Sequence, residues 1–122
     1  MPKLVYIAHQ VGGNVEENIR SVLKICREVH TAETIPVAPY LVAVQYLEDA
    51  VEGERALGMA ANREYFTRKL IDELWLCGPR ISAGMEGEVR LSLEHGIPIK
   101  CHNPSLESEL ERLVSQYSKE KP

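Results

Sequence analysis

The chain of 122 residues has no run approaching the ~18 consecutive apolar residues of a membrane span. Its opening Met1-Pro2-Lys3-Leu4-Val5 enters an apolar strand pattern at once, leaving no room for a secretory signal. A cytoplasmic protein with no membrane association is therefore expected. Basic charge is also short: 14 Lys and Arg stand against 18 Asp and Glu, a formal charge of −4. A general binder of polymeric nucleic acid normally carries a basic face, so the charge argues against that class. A small phosphorylated ligand held by backbone amides is not. Cysteine is scarce and odd in number. Cys26, Cys77 and Cys101 all fall in apolar-periodic segments, so reduced core thiols are expected. Cys77, Cys101 and His102 would come together if their strands were neighbours, but there is no CxxC or HxxxH spacing. Neither a metal nor a cofactor is expected. Repeats, linkers and low-complexity segments are missing too. Residues 1–122 read as one domain, long enough to bury about two-thirds of its unfolded surface. With 26% charged and 44% hydrophobic residues it has an ordinary globular composition.

What is present is organised around residues 71–102, IDELWLCGPRISAGMEGEVRLSLEHGIPIKCH. Leu74, Trp75, Leu76 and Cys77 form a short apolar run, as in a strand covered on both faces, and Gly78-Pro79 ends it. Ser82-Ala83-Gly84 opens a helix with Met85, Val89 and Leu93 on one face. Gly96 closes it, and residues 97–101 read as a second strand. A βαβ unit of this kind is right-handed and its strands are parallel.

The remaining segments follow the same alternation. Residues 3–8 are an apolar strand running into the His9 to Asn14 loop, whose Gly12-Gly13 pair permits a tight turn or a close approach to a ligand. Asn14 with Glu17 resembles a capping box. The helix it starts carries Ile19, Val22, Leu23, Cys26 and Val29 at core spacing. Residues 34–37 are a strand that Pro36 assigns to a sheet edge. Residues 41–52 read as a short helix and connection, and residues 54–70 as the longest helix. Asn103-Pro104 caps a terminal helix with Leu106, Leu110, Leu113 and Tyr117 on one face, ending in a tail that frays over residues 119–122. The expected fold is α/β: a flavodoxin- or Rossmann-like three-layer sandwich around four or five mainly parallel strands.

In an open parallel sheet the ligand crevice lies beyond the carboxyl ends of the strands, which directs attention to residues 78–88. A helix that starts there offers free N–H groups and a positive dipole end, although such loops are also simple tight turns. Glu86 and Glu88 sit in the first turns of that helix, where the dipole alone favours carboxylates by ~0.3–1 kcal/mol. They point about 200° apart, so only one can face the crevice. Glu88 flanks the Met85/Val89 core face and is the better functional candidate. Tyr6 and Glu64 are the other polar side chains that could point inward. The blander readings are a satisfied core tyrosine and a solvent-facing glutamate. His9 is either a ligand contact or an exposed loop residue. His30, His95 and His102 read as surface residues at element ends.

The segments YIA, Asn14 to Arg20, TIPVAPYL, DELWLCG, SAGMEGE and GIPI resemble the nucleoside 2-deoxyribosyltransferase superfamily, over residues 3–102. Within it they are closest to a phage and bacterial branch of unassigned function. The most specific part is the S-x-G-M-x-x-E loop. The resemblance implies a flavodoxin-like oligomer that cleaves or transfers at the N-glycosidic bond of a (deoxy)nucleoside or its 5′-monophosphate. Position by position it implies that Glu88 is the nucleophile and Tyr6 its supporting tyrosine. It further implies that Glu64 contacts base or sugar, and that Ser82 with Gly84 and Met85 holds a 5′-phosphate or hydroxyl. Gly12, Gly13 and His9 would border the ligand from the first loop. Serine at position 82 is similar to the 5′-monophosphate hydrolases rather than to the transferases, which have aspartate there. The chain departs from the pattern at His9, where glycine is usual. No arginine follows in that loop, where the phosphate-specific enzymes have one.

The chemistry implied is consistent with general principle, since a carboxylate beneath the anomeric carbon stabilises an oxocarbenium-like transition state and can trap the sugar. Two other classes stay open: a nucleotide-binding or sensing module that uses the same pocket without turnover, and an interaction protein with a vestigial pocket. Leu41, Val42, Val44, Tyr46 and Leu47 are numerous apolar residues for a short connection, and point to a homo-oligomer.

Overall fold

A computed structural model describes residues 1–120 of the chain. Strand β1 is Lys3–Ala8, followed by helix α1, Val15–Val29, and strand β2, Thr34–Val37. Helix α2, Tyr40–Ala43, and helix α3, Glu54–Thr67, lead to strand β3, Glu73–Leu76. Helix α4, Ala83–His95, leads to strand β4, Ile99–Cys101. A 3-10 turn, Pro104–Leu106, then enters helix α5, Glu107–Glu120. The fold is α/β, with four parallel strands in the order β2-β1-β3-β4. Tyr6 pairs across to Val37 on one side and Leu74 on the other, and Leu74 to Ile99, so Tyr6, Leu74 and Ile99 share a face.

The direction of travel decides the layers. The β1 to β2 step runs one way along the sheet, and the β2 to β3 and β3 to β4 steps run the other way. Right-handed crossovers therefore put α1 on one face and α3 with α4 on the opposite one. Tyr6 accordingly packs on Phe66 of α3, ring centroids 4.9 Å apart. Helix α5 lies against α4, tied by Arg90 Nη1 to Glu120 Oε2 at 2.7 Å. Lys119 and Glu120 are thus helical rather than frayed, and residues 121–122 lie outside the described residues. Pro36 occupies the edge strand β2, where its missing donor breaks no inner ladder.

Several faces differ from the sequence expectation, each for a packing reason. In α1 the core residues are Val22, Ile25, Cys26 and Val29, whereas Leu23 is 53% exposed. In α4 the fully buried stripe runs Met85, Val89, Ser92, and Leu93 is only half-buried. The α2 helix stops after one turn at Ala43, and Val51 beyond it is exposed. Strand β3 is not covered on both faces. Leu74 and Leu76 are buried beneath α3 and α4, but Glu73 and Trp75 on the opposite face are only half-buried. Trp75 is shielded there by side chains: Lys3 Nζ lies 5.5 Å from its ring centroid, His102 stacks on it, and its Nε1 donates to Glu73 Oε1 at 2.8 Å.

Cys26, Cys77 and Cys101 are free thiols. Burial pushes the Cys77 thiol up to about 12, which makes it unreactive. Among the described residues no helix is long and apolar enough to cross a membrane.

Candidate functional site

The strand order reverses direction between β1 and β3, so the loop after β1 departs towards the α1 face and the loop after β3 towards the α4 face. In open parallel sheets a ligand crevice is expected where two such loops diverge. Its rim is stitched by side chains. His9, at the end of β1, is 5% exposed, so it is not the exposed loop residue that was one alternative for it. Its Nδ1 lies 2.7 Å from the Gln10 carbonyl, which can only accept, and that places the ring proton on Nδ1. Its Nε2 then accepts from Ser21 Oγ at 2.9 Å. The ring rests on Gly78, which holds φ +82, and a Cβ there would lie 2.9 Å from His9 Nε2. Only glycine fits that contact. Asn103 Nδ2 donates to the Gly78 carbonyl at 2.8 Å, drawing in the loop after β4.

A second group of candidate residues is centred on Glu88. Glu88, in the second turn of α4, is partly buried, and removal from water raises its carboxyl from 4.5 to about 7, a rise that the neighbouring Tyr6 hydroxyl moderates. Tyr6 is fully buried, and burial first and the Glu88 charge second hold its phenol well above its usual value. The Tyr6 hydroxyl faces Glu88 without a hydrogen bond of normal geometry, so Tyr6 Oη is an orphaned buried polar atom. Tyr40 completes the wall. Its ring is 6.1 Å from that of Tyr6, its hydroxyl donates to the Ile7 carbonyl, and burial and then Glu88 raise its pKa as well. No cationic side chain contributes to the Glu88 shift. The result is a carboxylate walled by aromatic rings at the carboxyl edge of the sheet, an arrangement suited to stabilising positive charge in a bound molecule.

A family model described as a domain of unknown function (DUF7768) matches residues 3–102. The chain belongs to the DUF7768 family. No curated protein and no solved structure matches it.

In this DUF7768 domain Ser82 is the N-cap of α4. Its Oγ accepts from the Met85 amide at 3.3 Å, and its own amide donates to Met85 Sδ at 3.4 Å. The Met85 N–H is therefore engaged by the cap. Met85 itself is buried in the core at 1% exposure. Gly84 is exposed, and a Cβ there would meet nothing within 4 Å. Gly12 and Gly13 are exposed on the other rim. The Gly12 carbonyl accepts from Gln10 Nε2 at 3.1 Å and Asn18 Nδ2 at 2.9 Å, and Gly13 takes φ +87.

Glu64 stands apart from this group. It faces solvent, 51% exposed, with Oε1 2.9 Å from Arg68 Nη2 one turn along α3. The geometry thus brings Tyr6 and Glu88 together, sets His9 and Ser82 as rim supports, and leaves Glu64 in a surface ion pair.

Three participants were not singled out from the sequence. Tyr40 stood at the end of a strand, where the carboxyl-edge rule already pointed. Gln10 and Arg80 sit in the two loops that diverge, and Arg80 Nε donates to Gln10 Oε1 at 2.8 Å across the gap. No group of three or more His, Cys, Asp or Glu side chains able to hold a metal occurs among the described residues.

Proposed function

We propose that this domain cleaves, or transfers at, the N-glycosidic bond of a deoxynucleoside or its 5′-monophosphate, with Glu88 as nucleophile. The observation that carries the reading is the desolvated Glu88 carboxylate facing the unpaired Tyr6 hydroxyl at the point where the strand order reverses. The resemblance of the S-x-G-M-x-x-E loop to the nucleoside 2-deoxyribosyltransferase superfamily supports it.

In this mechanism a Glu88 oxygen attacks C1′ as the C1′–N bond breaks, and the bonding electron pair leaves with the base, which takes a proton from water. Water or a second base then displaces the carboxylate and restores it. Charge in a dry site is worth more than charge in water, so the same burial that disfavours free carboxylate strengthens its attraction for the oxocarbenium-like carbon. Tyr6 Oη has no other partner and is free to donate to Glu88, orienting one oxygen and favouring its ionised form. Ser82 fixes the start of α4 and so the approach of Glu88. A pocket of this kind that binds nucleotides without turnover is the second reading, favoured by the withdrawal of Glu64 into its pair with Arg68.

The domain is also proposed to act as a homo-oligomer. Val42 and Tyr46, in and just after α2, and Leu57 and Met59 on α3 are 65%, 66%, 62% and 59% exposed, more apolar surface than an isolated helical hairpin usually presents. Light scattering at micromolar concentration should give a multiple of the 13.7 kDa chain mass, and a monomer mass would refute the assembly.

The test of the function is chromatography of deoxynucleosides and their 5′-monophosphates after incubation with wild type and Glu88→Gln. Free base from wild type alone is expected. Equal release by Glu88→Gln would refute the role of Glu88, and binding without release in wild type would favour the second reading.

A further inference from the structure

We propose that the Trp75 face of strands β3 and β4 receives the acidic loop of residues 48–53 from a second copy of this chain, with Val51 as its anchor. The inference rests on the homo-oligomer reading above and names both surfaces of the contact. The receiving side is a cavity of about 240 Å³ lined by Trp75, Lys100, Cys101 and His102. Its apolar wall is the stack of Trp75 and His102, ring centroids 5.9 Å apart and planes within 7° of parallel. The charge beside it is unbalanced. Lys3 Nζ and Lys100 Nζ both pair with the single carboxylate of Glu73, at 3.3 and 3.4 Å from Oε2. Two cations on one anion leave a positive charge in excess, in a chain of formal charge −4. Such a surface attracts an acidic partner, and the ring stack gives an apolar side chain of that partner a place to bury.

The donating side lies in the same chain. Between α2 and α3 the backbone turns twice: the Val51 N–H donates to the Glu48 carbonyl at 3.0 Å, and the Val51 carbonyl accepts from the Glu54 N–H at 3.1 Å. Glu54 Oε1 accepts from the Glu48 amide at 3.0 Å and closes the loop. The Val51 backbone is thus already engaged, while its side chain is 42% exposed on a loop with little ordering left to lose on docking. Among the exposed large apolar side chains of the described residues, Val51 alone has an acid within two positions on either side, Asp49 before it and Glu52 after. Glu48, Asp49 and Glu52 are all exposed, and no Lys or Arg falls in residues 48–54.

The loop therefore has the two properties the cavity calls for, negative charge and an aliphatic knob between the acids. The receiving face offers only like charge to a copy of itself, so the contact joins unlike surfaces. Val42 and Tyr46 precede the loop and Leu57 and Met59 follow it, so exposed apolar residues border the anchor along the chain.

The experiment follows mass by sedimentation velocity across a concentration series, with tryptophan emission recorded at the same concentrations. Trp75 is the one tryptophan of the chain, so the emission reports the receiving face directly. Wild type is compared with Val51→Ser, Lys100→Glu and the double variant Asp49→Lys/Glu52→Lys. All four positions are exposed in the single chain, so circular dichroism should show the same fold in each. Wild type should associate at micromolar concentration, less so in high salt, and its emission should shift to the red on dilution as Trp75 regains water. Val51→Ser and Lys100→Glu should each weaken association about ten- to hundredfold, the range for losing an interface anchor or a paired charge. The double variant should weaken it similarly, and an equimolar mixture with Lys100→Glu should restore it, because the reversed loop then meets the reversed face. Association untouched by these variants, a mixture that stays apart, or an emission that ignores concentration while the mass changes would overturn the docking and leave an oligomer assembled through other surfaces. A monomer at every concentration would overturn the docking and the homo-oligomer reading together.

Discussion

Replacing Glu88 by glutamine should stabilise the protein at neutral and alkaline pH while abolishing base release. The carboxyl is raised from 4.5 to about 7 in the folded chain because burial disfavours its charge. A group whose folded pKa lies above its unfolded value stabilises the fold while it is protonated in both states, below about pH 4.5. That contribution is lost as pH rises through about 7, where the folded protein must carry the charge. At 1.36 kcal/mol per pKa unit the full loss is roughly 3 kcal/mol. Glu88 is only partly buried, and the solvent it keeps reduces this to about 2 kcal/mol.

Glutamine keeps the shape, carries no charge and offers Tyr6 Oη an amide oxygen to donate to. Urea unfolding of wild type and Glu88→Gln should give similar stabilities near pH 4, diverging between about pH 4.5 and 7, with the variant ahead by ~2 kcal/mol at pH 8. In a thermal scan at pH 8 that is a rise of roughly 6–10 °C for a domain of this size. The exposed control Glu94→Gln should stay within about 0.5 kcal/mol throughout. A Glu88→Gln protein that is no more stable at pH 8 than at pH 4, relative to wild type, would show that the carboxylate is not desolvated, and the account of its reactivity would fail with it.

Tyr6→Phe removes a buried hydroxyl with no hydrogen bond of normal geometry, so at acid pH, where Glu88 is protonated, stability should hold or rise by up to ~1 kcal/mol. The Tyr6 hydroxyl favours the Glu88 anion, so the alkaline rise of the base-release rate should move to higher pH in that variant; an unmoved pH profile would detach Tyr6 from Glu88. Gly78→Ala sets a Cβ 2.9 Å from His9 Nε2 at φ +82, and should cost about 2–3 kcal/mol in urea unfolding. A loss under about 0.5 kcal/mol would mean that the loop shifts freely. Ser92→Ala deletes the other orphaned buried hydroxyl of the described residues, and calorimetry should show a gain of up to ~1 kcal/mol rather than a loss.

The alternation of apolar strands with helical stripes carried the parallel sheet, the edge position of β2 and the start of α4 at Ser82, because these depend on period, proline and caps. What it could not carry was which side of a helix meets the sheet to within one residue. Leu23 and Leu93 fit the helical spacing as well as Ile25 and Ser92 do, and the choice is made by the tilt of α1 and α4 against strands far away in sequence. Trp75 misled in the same way. LWLC is as apolar as a strand covered on both faces, but its outer ring is covered by Lys3 and His102, which a local pattern does not pair with it. At the site, Glu88 was readable because it flanks a core face near a helix start. Arg80 with Gln10 was not, since their partnership spans 70 residues and exists only once β1 and β3 are neighbours.

The site departs from ordinary packing in a concentrated way. A well-packed domain partners its buried hydroxyls and keeps its carboxylates wet. This one leaves the Tyr6 and Ser92 hydroxyls without a normal hydrogen bond and draws Glu88 partly out of water, with Glu88 and Ser92 one turn apart on α4 and Tyr6 beside Glu88. Elsewhere the described carboxylates with lowered pKa values behave conventionally: Glu73 lies between Lys3 and Lys100, and Glu120 holds Arg90. Misfits spread at random would argue only for a tolerant fold. Their convergence around α4 and β1, where the strand order reverses, argues that stability has been given up there for a bound molecule. A planar, electron-poor ligand carbon above Glu88 would use the charge and the Tyr6 hydroxyl together. The stability gained by Glu88→Gln, set against the base release it loses, measures that exchange.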